Sequence, residues 1–132
     1  MIALALVGHS EELLRALAAM VAQAAPRVPV VIAGGTPTGS LGTSSPGIVA
    51  ALRAALRASA GEGVVVLFDL GSAVLALEVA LEELADVDRA RIAVSDVDRG
   101  DPILFISRQS LRRPAASRGA VTPWAGRTGA RR

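Results

Sequence analysis

The run Val64–Phe68 reads VVVLF, five apolar residues with no polar alternation. A strand of that kind needs cover on both faces, the situation of a parallel sheet held between helices. Ile2–Val7 and Val28–Ile32 are two further short apolar runs. Between the runs, apolar residues return at helical spacing: Leu13, Leu14, Leu17 and Val21, then Ile48, Leu52 and Leu56, then Val74, Leu77, Leu81 and Leu84. Arg91–Ser95 is a weaker fourth strand. The order β-α-β-α-β-α-β predicts an α/β fold: a single-domain, open, mainly parallel sheet with right-handed crossovers and helices on both faces.

The helix starts carry their own signals. Ser10, followed by Glu11 and Glu12, suits an N-cap with acids at the positive end of the helix dipole. Ser45-Pro46 reads as N-cap and first helical position. Ser72 reads as the N-cap of the third helix, after the tight turn Asp69–Ser72.

Composition then removes whole classes of chemistry. The 132 residues include no cysteine and no lysine. Disulfides, thiolate metal sites, thiol nucleophiles, Walker A loops and Schiff bases are therefore excluded. One histidine without cysteine gives no recognisable ligand set, so no metal and no cofactor is expected. With Phe scarce and Tyr absent, the core must be built from Ala, Val, Leu and Ile. The start lacks a basic segment and its apolar run stops after seven residues, a poor signal peptide. A soluble, cytoplasmic protein is the expectation, with no membrane contact.

Charge divides the chain. Residues 1–107 hold seven Arg against all twelve acids, a net −5, whereas 108–132 hold seven Arg and no acid, a net +7. The basic tail has one aromatic, Trp124, and no interleaved stacking residues, so no nucleic-acid partner is expected. The acids at Glu78–Glu83 read as a solvated face.

In an open α/β sheet, ligands gather at the carboxyl ends of the strands. Three segments emerge there: Gly8-His9-Ser10, the loop Gly34–Pro46 and the turn Asp69–Ser72. His9 is the only imidazole. It fits either a half-exposed loop residue or a nucleophile, since imidazole, with an ordinary pKa of about 6.5, can attack phosphorus in its neutral form near pH 7. A nucleophile needs one nitrogen bare and the other held by an acceptor. Asp69 ends the strand expected beside the first and could supply that acceptor, or could simply form the turn before Gly71. The loop GGTPTGSLGTSSP has twelve of thirteen residues Gly, Ser, Thr or Pro. Such a composition fits a flexible linker, or a cradle of amides and hydroxyls around a phosphoryl group.

Taken together, VGHSEELLRALAAMVAQAAP at 7–26, VPVVIAGGTPTGSLGTS at 28–44 and GVVVLFDLGSAVLALEVALE at 63–82 resemble the DhaM-type phosphocarrier subunits of phosphoenolpyruvate-dependent dihydroxyacetone kinase, within the mannose-type enzyme IIA family. The turn DLGSA at 69–73 resembles the dihydroxyacetone branch; sugar-transporting relatives tend to carry a GGSP-like turn. The resemblance implies that His9 takes a phosphoryl group on Nε2 from the phosphohistidine of HPr. It then passes the group to ADP on the DhaL subunit, for dihydroxyacetone bound on DhaK. It also implies Asp69 as the partner orienting the ring, Thr43, Ser44, Gly71 and Ser72 as the phosphate cradle, and a homodimer. An enzyme IIA for sugar uptake and a non-catalytic α/β anion-binding module are the alternatives.

The resemblance covers about residues 2–95, and residues 1–95 are read as the phosphocarrier domain. Residues 96–107 are an uncertain connection, and 108–132 a basic tail. The family continues with a small acidic loop and an Ala-rich amphipathic helix; here the text turns basic and loses all periodicity. A natural tail or a shifted reading frame would produce that break, and its abruptness favours the frame shift. Residues 108–132 are expected to form no regular element.

Overall fold

The computed structural model describes residues 1–95 and the backbone of 121–123. The chain runs β1 (Ala3–Gly8), α1 (Glu11–Ala24), β2 (Val30–Gly34), α2 (Ser45–Ala58), β3 (Val64–Phe68), α3 (Gly71–Glu82), α4 (Asp86–Arg89), β4 (Ile92–Ser95) and β5 (Val121–Pro123). The sheet order is β2-β1-β3-β4-β5. β1 pairs in parallel with β2 and β3, and β3 with β4. This is the α/β fold that the apolar runs predict.

The strands alternate their side chains between two packed layers. On one face Ala3, Ala5, Val7, Val64, Val66 and Ile92 meet α2 and α3 through Ile48, Leu52, Leu77 and Leu81. On the other, Leu4, Leu6 and Leu67 meet α1 through Leu14 and Val21. A β1 buried along its whole length is what an all-apolar central strand requires. Leu13, counted with the apolar face of α1, is instead exposed, because Leu14 and Val21 aim that helix at the sheet.

Several expected boundaries move. β2 begins at Val30 rather than Val28, since Pro29 has no N–H and contributes only its carbonyl, which accepts from Leu4 N at 2.8 Å. α2 is capped by Ser44, not Ser45; Ser45 and Pro46 are its first two residues. α4, four residues long, was not foreseen; Asp86 and Asp88 stand in its first turn, and Arg89 pairs with Asp86.

One further correction concerns the tail. Residues 108–132 read as irregular throughout, yet Val121–Pro123 pairs antiparallel with β4, Ser95 opposite Val121 and Ala93 opposite Pro123. Val121 and Thr122 are β-branched, and the outer edge of β4 offers unpaired backbone groups to any such strand. The expectations for 96–107 and for the rest of 108–132 lie outside the described residues. Among the described residues, no helix is long and apolar enough to cross a membrane.

Candidate active site

β1 and β3 are neighbours in register, Val7 opposite Phe68, so the residues just past their carboxyl ends are brought together. His9 and Asp69 meet there. The His9 amide donates to Asp69 Oδ2 at 2.8 Å, and the ring Nδ1 lies 3.0 Å from Asp69 Oδ1. Oδ1 also accepts from the Leu70 amide at 2.7 Å. Both side chains are largely covered, 25% and 22% exposed, which shields the pair from water without closing it off.

Gly8 makes that approach possible. A Cβ there would stand 2.7 Å from Asp69 Oδ2, well inside contact distance, and 3.3 Å from a Leu14 methyl, a tight contact. The carboxylate would have to leave the His9 amide to make room.

Burial acts to raise the Asp69 carboxyl, but the His9 amide, the His9 ring and the Leu70 amide together hold it below its ordinary value of 3.8. Asp69 is thus an anion near neutrality and can only accept. Its contact with the ring therefore places a hydrogen on Nδ1, and in the neutral ring Nε2 keeps its lone pair. Ser72 Oγ stands 2.9 Å from Nε2 and donates to it in that neutral form.

The sequence reading of Ser72 as a helix cap is corrected here. The cap position of α3 is Leu70, which makes no side-chain cap hydrogen bond, and Ser72 is the second helical residue. With its hydroxyl turned to His9, the first amides of α3 keep the positive end of the helix dipole beside the imidazole. A Cβ at Gly71 would meet nothing within 4 Å, so the approach to this helix end is open.

The Gly34–Pro46 loop is a compact turn, which disposes of the linker reading. Thr36 N donates to Ser40 O at 2.9 Å, and the Thr36 hydroxyl bonds those of Thr38 and Ser40 at 3.0 and 2.6 Å. Gly42 N donates to His9 O at 3.0 Å and ties the loop to the site. Gly42 was not singled out in the sequence, and nothing in its spacing marks it. Thr43 and Ser44 follow directly and are half-buried. Ser44 Oγ accepts from Gly47 N at 3.3 Å as the α2 cap, leaving its hydroxyl hydrogen to donate elsewhere. A cleft of about 360 Å³ opens beside them, between Glu11, Gly35, Thr36, Ser44 and Gly47. Among the described residues, no group of His, Asp and Glu is arranged to hold a metal ion.

The structure thus joins His9, Asp69 and Ser72 by direct hydrogen bonds, with Gly71 adjoining Ser72, and with Thr43 and Ser44 in the loop tied to His9 through Gly42. No curated protein matches the chain. A crystal structure of a protein of unknown function, EF1359, superposes with a TM-score of 0.63 at 27% identity, over 72% of this chain and 71% of that one. Residues 3–98, which span β1 to β4 and the whole of this constellation, match the family EIIA-man, PTS system fructose IIA component. The chain belongs to that family, and its role is that of a IIA-type phosphotransferase component of the phosphotransferase system.

Proposed function

We propose that His9 is the phosphoacceptor of this domain and that Nε2 is the atom phosphorylated. The observation that carries the reading is the line Asp69–His9–Ser72: an anionic acceptor behind Nδ1 and a hydroxyl in front of Nε2. The Nε2 lone pair attacks the phosphorus of a donor phosphohistidine, and the donor's N–P bond breaks with its electron pair returning to the donor ring. The phosphorylated ring of His9 keeps its Nδ1 hydrogen and carries positive charge, which the Asp69 carboxylate offsets. Ser72 must release Nε2 for the attack, and its hydroxyl is then positioned to donate to a phosphoryl oxygen. Gly71, Thr43 and Ser44 complete the cradle with amides and hydroxyls. Such transfer depends on alignment and charge stabilisation, which a prearranged site provides.

Within the family, the DLGSA turn at 69–73 favours the dihydroxyacetone branch. On this reading the phosphoryl group arrives from HPr and leaves to ADP on the DhaL subunit, which serves dihydroxyacetone bound on DhaK. The domain acts as a homodimer.

The test is phosphorylation with enzyme I, HPr and labelled phosphoenolpyruvate, followed by addition of DhaL–ADP. Wild type takes up acid-labile phosphate and passes it on, whereas His9→Ala takes up none. Acid-stable phosphate on His9→Ala would move the acceptor to a hydroxyl. Acceptance without transfer to DhaL–ADP would retain His9 and reject the dihydroxyacetone branch.

A further inference from the structure

At the end of the sheet opposite His9, a cleft of about 480 Å³ lies between the end of α2 and the start of β4. Three arginines line it: Arg53 and Arg57, one turn apart on α2, and Arg91 just before β4. Leu56 and the Ala60–Gly61 turn form its floor, and Asp88 is its one acid. Residues 1–95 hold six Arg against nine acids, and half of the arginines of this acidic domain line one open depression, all three exposed.

The scaffold holds them there. Arg91 N donates to Asp88 O at 3.0 Å and its carbonyl accepts from Val64 N at 2.9 Å. A Cβ at Gly61 would lie 3.6 Å from Arg91 Nη1, so that guanidinium rests over the bare turn. The Arg57 carbonyl accepts from Ala60 N at 3.1 Å, which fixes the opposite wall.

The nearby charges that might neutralise these arginines are engaged elsewhere. Glu62, in the same turn, pairs with the Met1 ammonium at 2.7 Å, and Asp86 pairs with Arg89. Among the described residues, no ion pair involves Arg53, Arg57 or Arg91. Like charges at i and i+4 on one helix repel. The negative end of the α2 dipole eases that repulsion only for the last turn.

We infer that this cleft binds a small hydroxylated phosphate monoester. Three guanidinium groups and one carboxylate leave a local charge of +2, which matches the −1.5 to −2 of a phosphate monoester near pH 7. Guanidinium forks suit phosphate oxygens, and Asp88 can accept hydrogens from hydroxyls on the body of the ester. The same helix that begins at the Ser44 cradle ends here, so the two sites are separated by the length of α2 and can be occupied together.

The experiment is a titration of the full ¹⁵N-labelled chain with glycerol 3-phosphate, inorganic phosphate and sodium chloride at matched ionic strength. Saturable shifts are expected at the Gly61 and Arg91 amides with both phosphates, tighter for the ester, independently of any shifts at the His9 cradle. Arg57→Gln and Arg91→Gln should each weaken binding about tenfold while the rest of the spectrum is kept. Equal affinity for the two phosphates would assign the cleft to inorganic phosphate and overturn the ester. Shifts reproduced by chloride, wild-type affinity in both variants, or shifts confined to the His9 end would overturn the site. None of these outcomes depends on phosphoryl transfer, so this inference and the proposed function fail separately.

Discussion

Two helices begin beside His9, and they begin differently. α1 follows it directly in the chain and has a side-chain cap: Ser10 Oγ accepts from Leu13 N at 3.3 Å, with Glu11 and Glu12 in the first turn. α3 begins some sixty residues later and has Leu70 at the cap position, no acid in its first turn and its serine turned to Nε2. An absent cap leaves about 1 kcal/mol unrealised. The polar groups at the start of α3 are arranged around the imidazole instead of around their own helix. Under the proposed function, the segment next to His9 in sequence is scaffold, and the distant one supplies the chemistry. Substitutions at the two starts should separate stability from transfer.

The largest effect is expected at Asp69, two residues before α3 begins. Its two oxygens accept from three donors, the His9 amide, the Leu70 amide and the ring. An Asn has only one acceptor oxygen, so in either orientation its NH₂ faces a donor. Asp69→Asn should therefore free the ring's tautomer and slow phosphoryl transfer on the order of a hundredfold or more, measured by rapid quench with phospho-HPr. It should also change the acid limb of stability. The native carboxyl lies below its ordinary 3.8. The stabilisation is therefore complete above the unfolded value and is lost as pH falls through the native one. Urea midpoints taken from about pH 6 to about pH 3 should fall more for wild type than for Asp69→Asn. Parallel curves would mean that Asp69 is not held low by these donors.

Ser72→Ala comes next. It removes the hydroxyl at Nε2 but no cap, so transfer should slow about tenfold while the urea midpoint shifts by no more than about 0.5 kcal/mol equivalent. A large loss of stability with unchanged transfer would return Ser72 to a helix-start role and erase the contrast between α1 and α3.

The same contrast explains what was legible in the sequence. The sheet was legible because VVVLF and its companion runs can be buried only between helices. His9 and Asp69 were legible as neighbours because both end strands expected to be adjacent. Ser72 was misread, since a serine after a tight turn carries one local signal for two roles, and only the register of β1 against β3 decides between them. α4 is too short for apolar periodicity to mark it. β5 is three residues in a stretch whose composition reads as loop. The arginine cleft was invisible for a further reason: Arg53 and Arg57 are separated from Arg91 by all of β3 and α3. No window of sequence holds the cluster.

The smallest effect belongs to the start of α1. Ser10→Ala removes the acceptor for Leu13 N, an exposed bond of 3.3 Å, and leaves Glu11 and Glu12 to serve the dipole. The expected cost is about 0.5–1 kcal/mol, at the low end for a cap, because the freed amide can turn to water. The His9 backbone should not follow. Its amide stays on Asp69 Oδ2 and its carbonyl on Gly42 N, so two bonds from outside α1 hold it in place. Transfer rates should therefore match wild type while the urea midpoint falls, the mirror image of Ser72→Ala. A slowed transfer in Ser10→Ala would show that α1 positions His9 through its own first turn. In that case the two helix starts would act as one unit, and the division between scaffold and chemistry would fail at Ser10.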